Sequence, residues 1–377
     1  MVLYPWLVTV YLDETPIRVG MAQMAAQLPM LLFILVGGWL GDRVDQRRLL
    51  ILVSGLMAVP PLLVATLFEA GAFDYTILFC WALVGGTLAA FAQPARDALL
   101  NRVAGADIQR VVTLTVGVQF GVQIIGFTIG SMADQIGPTS LLLTMSLFIV
   151  AATGATTMIP KLPAPAPSNT QPPLRAIAEG VKLAWNSDTI RPTVIQTFSV
   201  GIFFAGAYMV LLPLMVRDLY GGGSAAIAGA FGANMLGTVV MTLVLMRRGR
   251  IAQPGRTLLV GAIISSLVLF LLYFKLPQWL FYAVIFLWGC CGGISMTMSR
   301  TIVQEAAIAS HRARVMSVYS LGMMGGMPIG SFTLGVVTEW VGVRNAVLVP
   351  VAGMLIILIY LRLKTNLWHV HSTVEQS

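Results

Sequence analysis

Six amide side chains lie inside long apolar runs of the sequence and are the groups best placed there to bind a solute. Amides are costly in lipid, so we expect them to face a bundle interior, where they either bind substrate or hydrogen-bond a neighbouring helix. The absence of carboxylates from the middle of these runs favours an uncharged or amphipathic substrate. The six candidates for the substrate path are Gln23, Gln27, Gln119, Gln123, Gln196 and Asn234.

Two acids at the edge of the first apolar segment are candidates for accepting a transported proton. Asp13 and Glu14 follow that segment directly, and they act either as proton acceptors or as ordinary loop acids. Asp97 and Glu305 fall in similarly placed loops further along the chain, and we expect them to pair with nearby arginines. Five methionines could form an adaptable apolar wall, namely Met296, Met298, Met323, Met324 and Met327.

The elements that carry these residues must be membrane helices. Of 377 residues, 57% are hydrophobic and 10% are charged, with a mean hydropathy of +0.85, whereas soluble domains carry about a quarter charged residues. Runs long enough to span a bilayer lie near 17–41, 49–69, 75–94, 111–133, 139–159, 192–216, 224–246, 257–274, 279–299, 315–338 and 345–361. Residues 1–12 are too short to cross alone, and we expect them to be the outer half of a first helix whose beginning this chain lacks. The fold class is therefore an all-α polytopic membrane protein.

The basic residues set the expected orientation. Most of them cluster in alternate short loops, and such loops stay cytoplasmic. We therefore expect a multi-pass protein of the cytoplasmic (inner) cell membrane with a cytoplasmic C-terminus. The same placement explains the net charge of +8 without nucleic acid as a partner. The three cysteines lie in apolar spans and form neither a disulfide framework nor a metal pattern.

The chain divides into two similar halves. The predicted domains are an N-terminal bundle at 1–159, a Pro-rich linker with an amphipathic helix at 160–191, a C-terminal bundle at 192–361 and a tail at 362–377. The amphipathic helix either lies along the inner membrane surface or simply joins the bundles. The stretch IGFTIGSMADQIG (125–137) is echoed by IGSFTLGVVTEWVG (329–342), which matches Asp134 with Glu339. Such a repeat predicts two bundles that rock about a central site.

One charged motif lies between the second and third helices. In GGWLGDRVDQRRLL (37–50), the residues Gly38, Asp42, Arg43, Arg47 and Arg48 match a signature of the major facilitator superfamily, which the chain resembles. We expect Gly38 to permit close helix approach and Asp42 to meet the positive end of a helix. Arg43 and its neighbours would pair with acids, and these contacts would form in one gating state and break in the other.

Within that superfamily the chain resembles the branch of enterobactin and macrolide exporters. The resemblance runs through QPARDALLNRV (93–103), LRAIAEGVKLAWNSDTIRP (174–192) and LLPLMVRDLYGGG (211–223). It implies two six-helix bundles with pseudo-two-fold symmetry and proton-driven extrusion of amphipathic molecules. The chain departs from the pattern at Asp45-Gln46, where the commonest motif has Gly-Arg, and at Phe127, where exporters often carry Pro.

Other function classes fit less well. An ATP-driven pump would need a phosphate loop, and the sequence has no G-x-x-x-x-G-K-[ST] pattern. An enzyme would gather His, Ser and acidic groups or metal ligands, so we expect neither an enzyme nor a cofactor nor a metal. An importer, a uniporter and a solute sensor of transporter fold stay open as alternatives. The expected partners are a small-molecule substrate, protons and the lipid bilayer, with the protein acting as a monomer.

Overall fold

The computed structural model describes residues 2–104, 108–160, 173–249, 251–308 and 311–371. The helices are α1 (Leu3–Trp6), α2 (Pro16–Arg43), α3 (Gln46–Glu69), α4 (Tyr75–Ala104), α5 (Ile108–Gly130), α6 (Ala133–Ile136), α7 (Pro138–Thr157), α8 (Pro173–Trp185), α9 (Ile190–Val200), α10 (Leu212–Tyr220), α11 (Ser224–Arg248), α12 (Pro254–Leu271), α13 (Gln278–Ala306), α14 (Arg312–Ala346) and α15 (Leu348–Lys364). Wide π turns continue α1 through Leu7–Tyr11 and join α9 to α10 through Gly201–Ala205 and Ala207–Leu211.

The helices confirm the predicted fold class. In the described part of the chain, nine helical segments are long and apolar enough to cross a membrane, and each of the eleven predicted runs is helical over most of its length. Two helices extend further than predicted, because α4 continues to Ala104 and α13 to Ala306 beyond their apolar runs. Asp97 and Glu305 therefore lie on helices, and the prediction that placed them in loops is wrong.

The chain forms two compact units whose contents differ slightly from the predicted halves. The first unit contains Met1–Glu14, Ala22–Pro173 and Gly223–Ala228. The second contains Thr15–Met21, Leu174–Gly222 and Gly229–Ser377. The first turn of α2 therefore belongs to the second unit, and the first turn of α11 belongs to the first unit.

In the first unit, α3 packs along both α4 and α7. Leu50, Val53 and Ala95 are among the side chains that form a buried apolar cluster there. Contact between α2 and α4 depends on small residues, since a Cβ atom on Gly37 would overlap the carbonyl of Ala90. Small residues allow helix backbones to approach closely in a membrane protein.

In the second unit, α14 packs against α9 and the π turns that follow it. A Cβ atom on Gly330 would overlap the carbonyl oxygen of Ile202, and one on Gly206 would lie 2.6 Å from the carbonyl carbon of Gly330. These glycines bring two backbones into direct contact. Residues Pro173–Trp185 form the helix α8, which is tied to α14 by an ion pair between Glu179 and Arg314 at 2.8 Å.

Candidate functional site

A cavity of about 200 Å³ lies inside the second unit. Its walls come from α9 and the π turns after it, α11, α12, α13 and α14. Of the described residues that line it, none is charged. The cavity is therefore a candidate site for an uncharged solute or for an uncharged part of one.

Three aromatic side chains form one wall of the cavity. Phe204 and Trp288 meet edge to face, with ring centroids 6.1 Å apart and planes at 85°. Tyr208 lies 6.4 Å from Trp288 and is tilted against it. Phe204 and Tyr208 are four residues apart, on the two π turns that follow α9. Turns of this kind interrupt the regular α-helical pattern and are frequent at functional sites.

Polar side chains form another part of the lining. The fully buried Gln196 donates a hydrogen bond from Nε2 to Oγ of Ser295 at 3.2 Å, and Ser295 lines the cavity. Oε1 of Gln196 has no hydrogen-bond partner among the described residues. The hydroxyl groups of Ser299 and Tyr319 are joined at 2.8 Å. A buried amide oxygen without a partner is uncommon and calls for an explanation such as water or a ligand.

Asn234 contributes the amide that lines the cavity itself. Its Nδ2 donates to the carbonyl oxygen of Ile285 at 3.4 Å. The nearby hydroxyl of Thr238 is directed at the carbonyl oxygens of Asn234 and Gly289, at 3.1 and 3.0 Å. Oδ1 of Asn234 thus remains available to accept a hydrogen bond from a solute.

The structure divides the six predicted amides between two places. Asn234 lines the cavity and Gln196 lies directly behind it, whereas the other four are on helices of the first unit. Gln23 and Gln27 lie one turn apart on α2, and Gln23 Nε2 and Gln27 Oε1 are buried without a partner among the described residues. On α5, Gln119 is exposed and Gln123 is half-buried. A role in substrate binding stays a prediction for all six.

Two of the five predicted methionines, Met296 and Met323, also line the cavity. The aromatic wall was missed in the sequence, because aromatic residues are common in apolar spans. The spacing of Phe204 and Tyr208, next to Gly201 and Gly206, is the signal that could have revealed it.

The candidate proton acceptors are not among the residues that line this cavity. Asp13 and Glu14 occupy the connection between the first helical segment and α2. Asp13 is exposed and has a backbone φ of 47°, while Glu14 is half-buried. Neither residue lines the cavity, and their role in proton transfer stays a prediction.

The charged motif has a structural role that the sequence did not indicate. Arg47 donates from Nε to the carbonyl oxygen of Ile159 at 2.6 Å and from Nη2 to that of Thr157 at 2.5 Å. It thus satisfies carbonyl groups at the end of α7, where the helix leaves its last acceptors unpaired. The pairing of Arg47 with an acid in another gating state stays a prediction.

The remaining motif residues differ in their surroundings. Arg43 lies over the ring of Trp39, 4.3 Å from its centroid. Arg48 pairs with Asp45 at the surface, at 3.5 Å. Asp45 also accepts hydrogen bonds from the backbone N–H groups of Arg47 and Arg48, and so caps the N-terminus of α3. That cap gives a physical reason for the departure from the commonest motif.

Gly38 and Asp42 are the two motif residues that were expected to contact another helix. A Cβ atom on Gly38 would meet no other atom within 4 Å, so the close helix approach occurs one residue earlier, at Gly37. The side chain of Asp42 lies outside the described part of the structure. Its expected contact with a helix end stays a prediction.

Asp134 makes a dense set of hydrogen bonds within the first unit. One carboxylate oxygen accepts from Nε1 of the buried Trp6 at 2.8 Å. The other accepts from the backbone N–H and the hydroxyl of Ser224, at 2.6 and 2.7 Å. Asp134 thereby holds the first turn of α11 through donors that the helix itself cannot satisfy.

Glu339 makes a matching contact within the second unit. Its Oε2 accepts from the backbone N–H of Ile17 in the first turn of α2, at 3.2 Å. Asp134 and Glu339 are the two acids at matching positions of the internal repeat. Each acid thus accepts a hydrogen bond from the backbone of a first helix turn, that of α11 for Asp134 and that of α2 for Glu339.

Comparison with known proteins agrees with this architecture. The family model described as a transmembrane secretion effector matches residues 1–376. The staphyloferrin A transporter of Staphylococcus aureus is 23% identical over 346 residues, covering 87% of this chain and 82% of that protein. The multidrug efflux pump Tap of Mycobacterium tuberculosis is 23% identical over 359 residues, covering 91% of this chain and 84% of the pump.

Solved structures of similar fold include two other transporters. The nucleoside transporter NupG has a TM-score of 0.73 at 13% identity and covers 96% of this chain and 95% of its own. A D-xylose–proton symporter has a TM-score of 0.73 at 12% identity, with 97% and 95% covered. At these identities the likeness shows a shared fold.

Proposed function

Because the chain belongs to the transmembrane secretion effector family of the major facilitator superfamily, we propose that it exports small amphipathic molecules by proton-coupled antiport. The chain is a multi-pass membrane transporter and not an enzyme. The observation that carries the proposed substrate type is the uncharged, aromatic cavity of the second unit. Export is supported by the similarity to an efflux pump across 91% of the chain.

The proposal includes an orientation and a coupling ion. The protein lies in the cytoplasmic membrane with its C-terminus inside, which is supported by the alternation of basic loops. Protons enter through Asp13, Glu14 or another acid, and a single chain performs transport. Gly38, Asp42, Arg43, Arg47 and Arg48 form the gating region of the motif.

The proposed function is tested in an efflux-deficient bacterial host that expresses the chain. Cells would be loaded with a panel of dyes, macrolides and catecholate siderophores, and accumulation would be measured with and without a protonophore. We expect lower accumulation of at least one compound, and we expect the protonophore to abolish the difference. Asp42→Asn should remove the effect while leaving the amount of protein in the membrane unchanged. Higher accumulation than in the empty host would instead indicate import.

A further inference from the structure

The cavity of the second unit has a volume that limits what it can hold. Pockets for drug-sized molecules usually measure about 300–1,000 Å³, whereas this cavity measures about 200 Å³. It has room for one ring system with a small substituent. A larger substrate would place only its ring-bearing end here.

The aromatic wall favours a solute that contains a planar ring. Trp288 presents its indole beside Phe204 and Tyr208, and it is almost fully buried. Aromatic rings favour offset or edge-to-face arrangements with centroids 4.5–7 Å apart. A planar solute ring in the cavity can make the same contacts as these three side chains make with one another.

The polar groups of the cavity wall match a ring substituent that carries one hydrogen-bond donor and one acceptor. Oγ of Ser295 accepts from Gln196, which leaves the hydroxyl hydrogen of Ser295 to donate to a solute oxygen. Nδ2 of Asn234 is directed at the carbonyl oxygen of Ile285, which leaves Oδ1 to accept from a solute N–H. A primary amide group provides both partners at once.

The lining also discriminates against charge. Of the described residues around the cavity, none carries a charge, so neither an ammonium nor a carboxylate group would find an ionic partner. Transfer of an unpaired ion from water into such a site is strongly unfavourable. A neutral ligand should therefore bind much better than a charged analogue with the same ring.

We infer that this cavity is a binding site for a neutral aromatic carboxamide or a closely related uncharged ring compound. The inference rests on the proposed transport function, and it narrows the substrate from amphipathic molecules in general to neutral aromatic ones. Trp288 holds the ring, and Ser295 and Asn234 hold the amide.

Three ligands with one ring system test the inference. Radiolabelled indole-3-acetamide, indole-3-acetate and tryptamine carry a neutral, a negative and a positive group on the same indole. Binding to the purified full chain in lipid nanodiscs would be measured by equilibrium dialysis. We expect the amide to bind at least tenfold more tightly than either charged ligand. Equal binding of a charged analogue, or no binding of the amide, would overturn the inference.

Paired variants test the residues. Trp288→Leu should weaken amide binding at least tenfold, whereas Trp279→Leu on the same helix, with its side chain 71% exposed, should change nothing. Ser295→Ala should weaken binding of the amide severalfold but leave binding of plain indole unchanged. Ser266→Ala is its control, since Ser266 is buried outside the cavity. Unchanged amide binding in Trp288→Leu, or in Ser295→Ala if the tryptophan variant fails to fold, would overturn the assignment.

These results are separable from the test of export. Binding in nanodiscs needs neither a proton gradient nor a direction of transport. Tight amide binding together with no efflux from cells would leave the ligand class standing and remove the export proposal. Efflux of charged compounds together with no amide binding would support export and rule out the neutral aromatic ligand class.

Discussion

Replacing Asp134 with asparagine should loosen the first turn of α11. The carboxylate accepts three hydrogen bonds, from Nε1 of Trp6 and from the backbone N–H and hydroxyl of Ser224. Trp6 and Ser224 contact different oxygens of the carboxylate, so in asparagine one of these donors would face the NH₂ group instead of an acceptor. The substitution also removes a negative charge from a helix N-terminus, which contributes about 0.3–1 kcal/mol.

The size of the effect follows from these contacts. A hydrogen bond to a charged group contributes about 1.5–3 kcal/mol, and we take the lower end because Asp134 is partly exposed to solvent. The free energy needed to open the first turn of α11 should therefore fall by about 2 kcal/mol. At 1.36 kcal/mol per factor of ten, this corresponds to roughly 30-fold faster hydrogen exchange of its backbone N–H groups.

Hydrogen exchange measured by mass spectrometry on the purified protein would test this prediction. The peptide that covers Gly223–Ala228 should exchange faster in Asp134→Asn, while peptides from the middle of α11 should not change. Asp188→Asn is the control, because its side chain is 85% exposed and its ion pair with Arg191 is long, at 4.0 Å. Unchanged exchange at Gly223–Ala228, or the same increase in the control, would refute the role of Asp134.

Three further substitutions, two of them with a matched control, give distinct outcomes. Glu339→Gln should speed hydrogen exchange in Thr15–Met21 by only a fewfold, because it weakens a single hydrogen bond of 3.2 Å. An effect as large as that of Asp134→Asn would contradict this prediction. Gly330→Ala should lower the free energy of unfolding in detergent by about 2 kcal/mol through overlap with the carbonyl of Ile202. Gly232→Ala, in open space on α11, should be neutral or slightly stabilising, and equal effects would count against the packing argument. Arg47→Gln should destabilise the end of α7 by about 1–2 kcal/mol, seen as faster exchange near Thr157, whereas Arg48→Gln, with a side chain 75% exposed, should not.

The helices could be predicted because lipid imposes a simple rule on their composition. A run of about 20 apolar residues is needed to cross the bilayer, and each such run in this chain is helical. The rule says nothing about where a helix ends in water. The apolar run predicts that α4 ends near residue 94, yet the polar stretch that follows continues the helix to Ala104.

The candidate site was partly predictable. Amides inside apolar spans are rare enough to stand out, and Asn234 and Gln196 both lie at the cavity. Trp288 and Phe204 were missed because an aromatic residue in such a span usually packs against lipid or a neighbouring helix. Their roles depend on contacts between residues more than 80 positions apart, which one sequence does not reveal.

Local geometry explains two further differences. Gly37 and Gly38 are neighbours, but successive helix residues point about 100° apart, so only Gly37 faces α4. The repeat that relates Asp134 to Glu339 was visible in the sequence, whereas their partners were not. The kind of partner that the two acids share is a backbone N–H group, which every residue except proline carries.

Transport by everted membrane vesicles tests proton-coupled export by this chain. In such vesicles the cytoplasmic face is outward, so a proton-coupled exporter should drive its substrate into the lumen when the lumen is acidified. We predict accumulation of at least one neutral aromatic compound, dependent on the gradient and lost in Trp288→Leu but kept in Trp279→Leu. Accumulation only in right-side-out vesicles, or none in either orientation with the protein well inserted, would show that the chain is not a proton-coupled exporter.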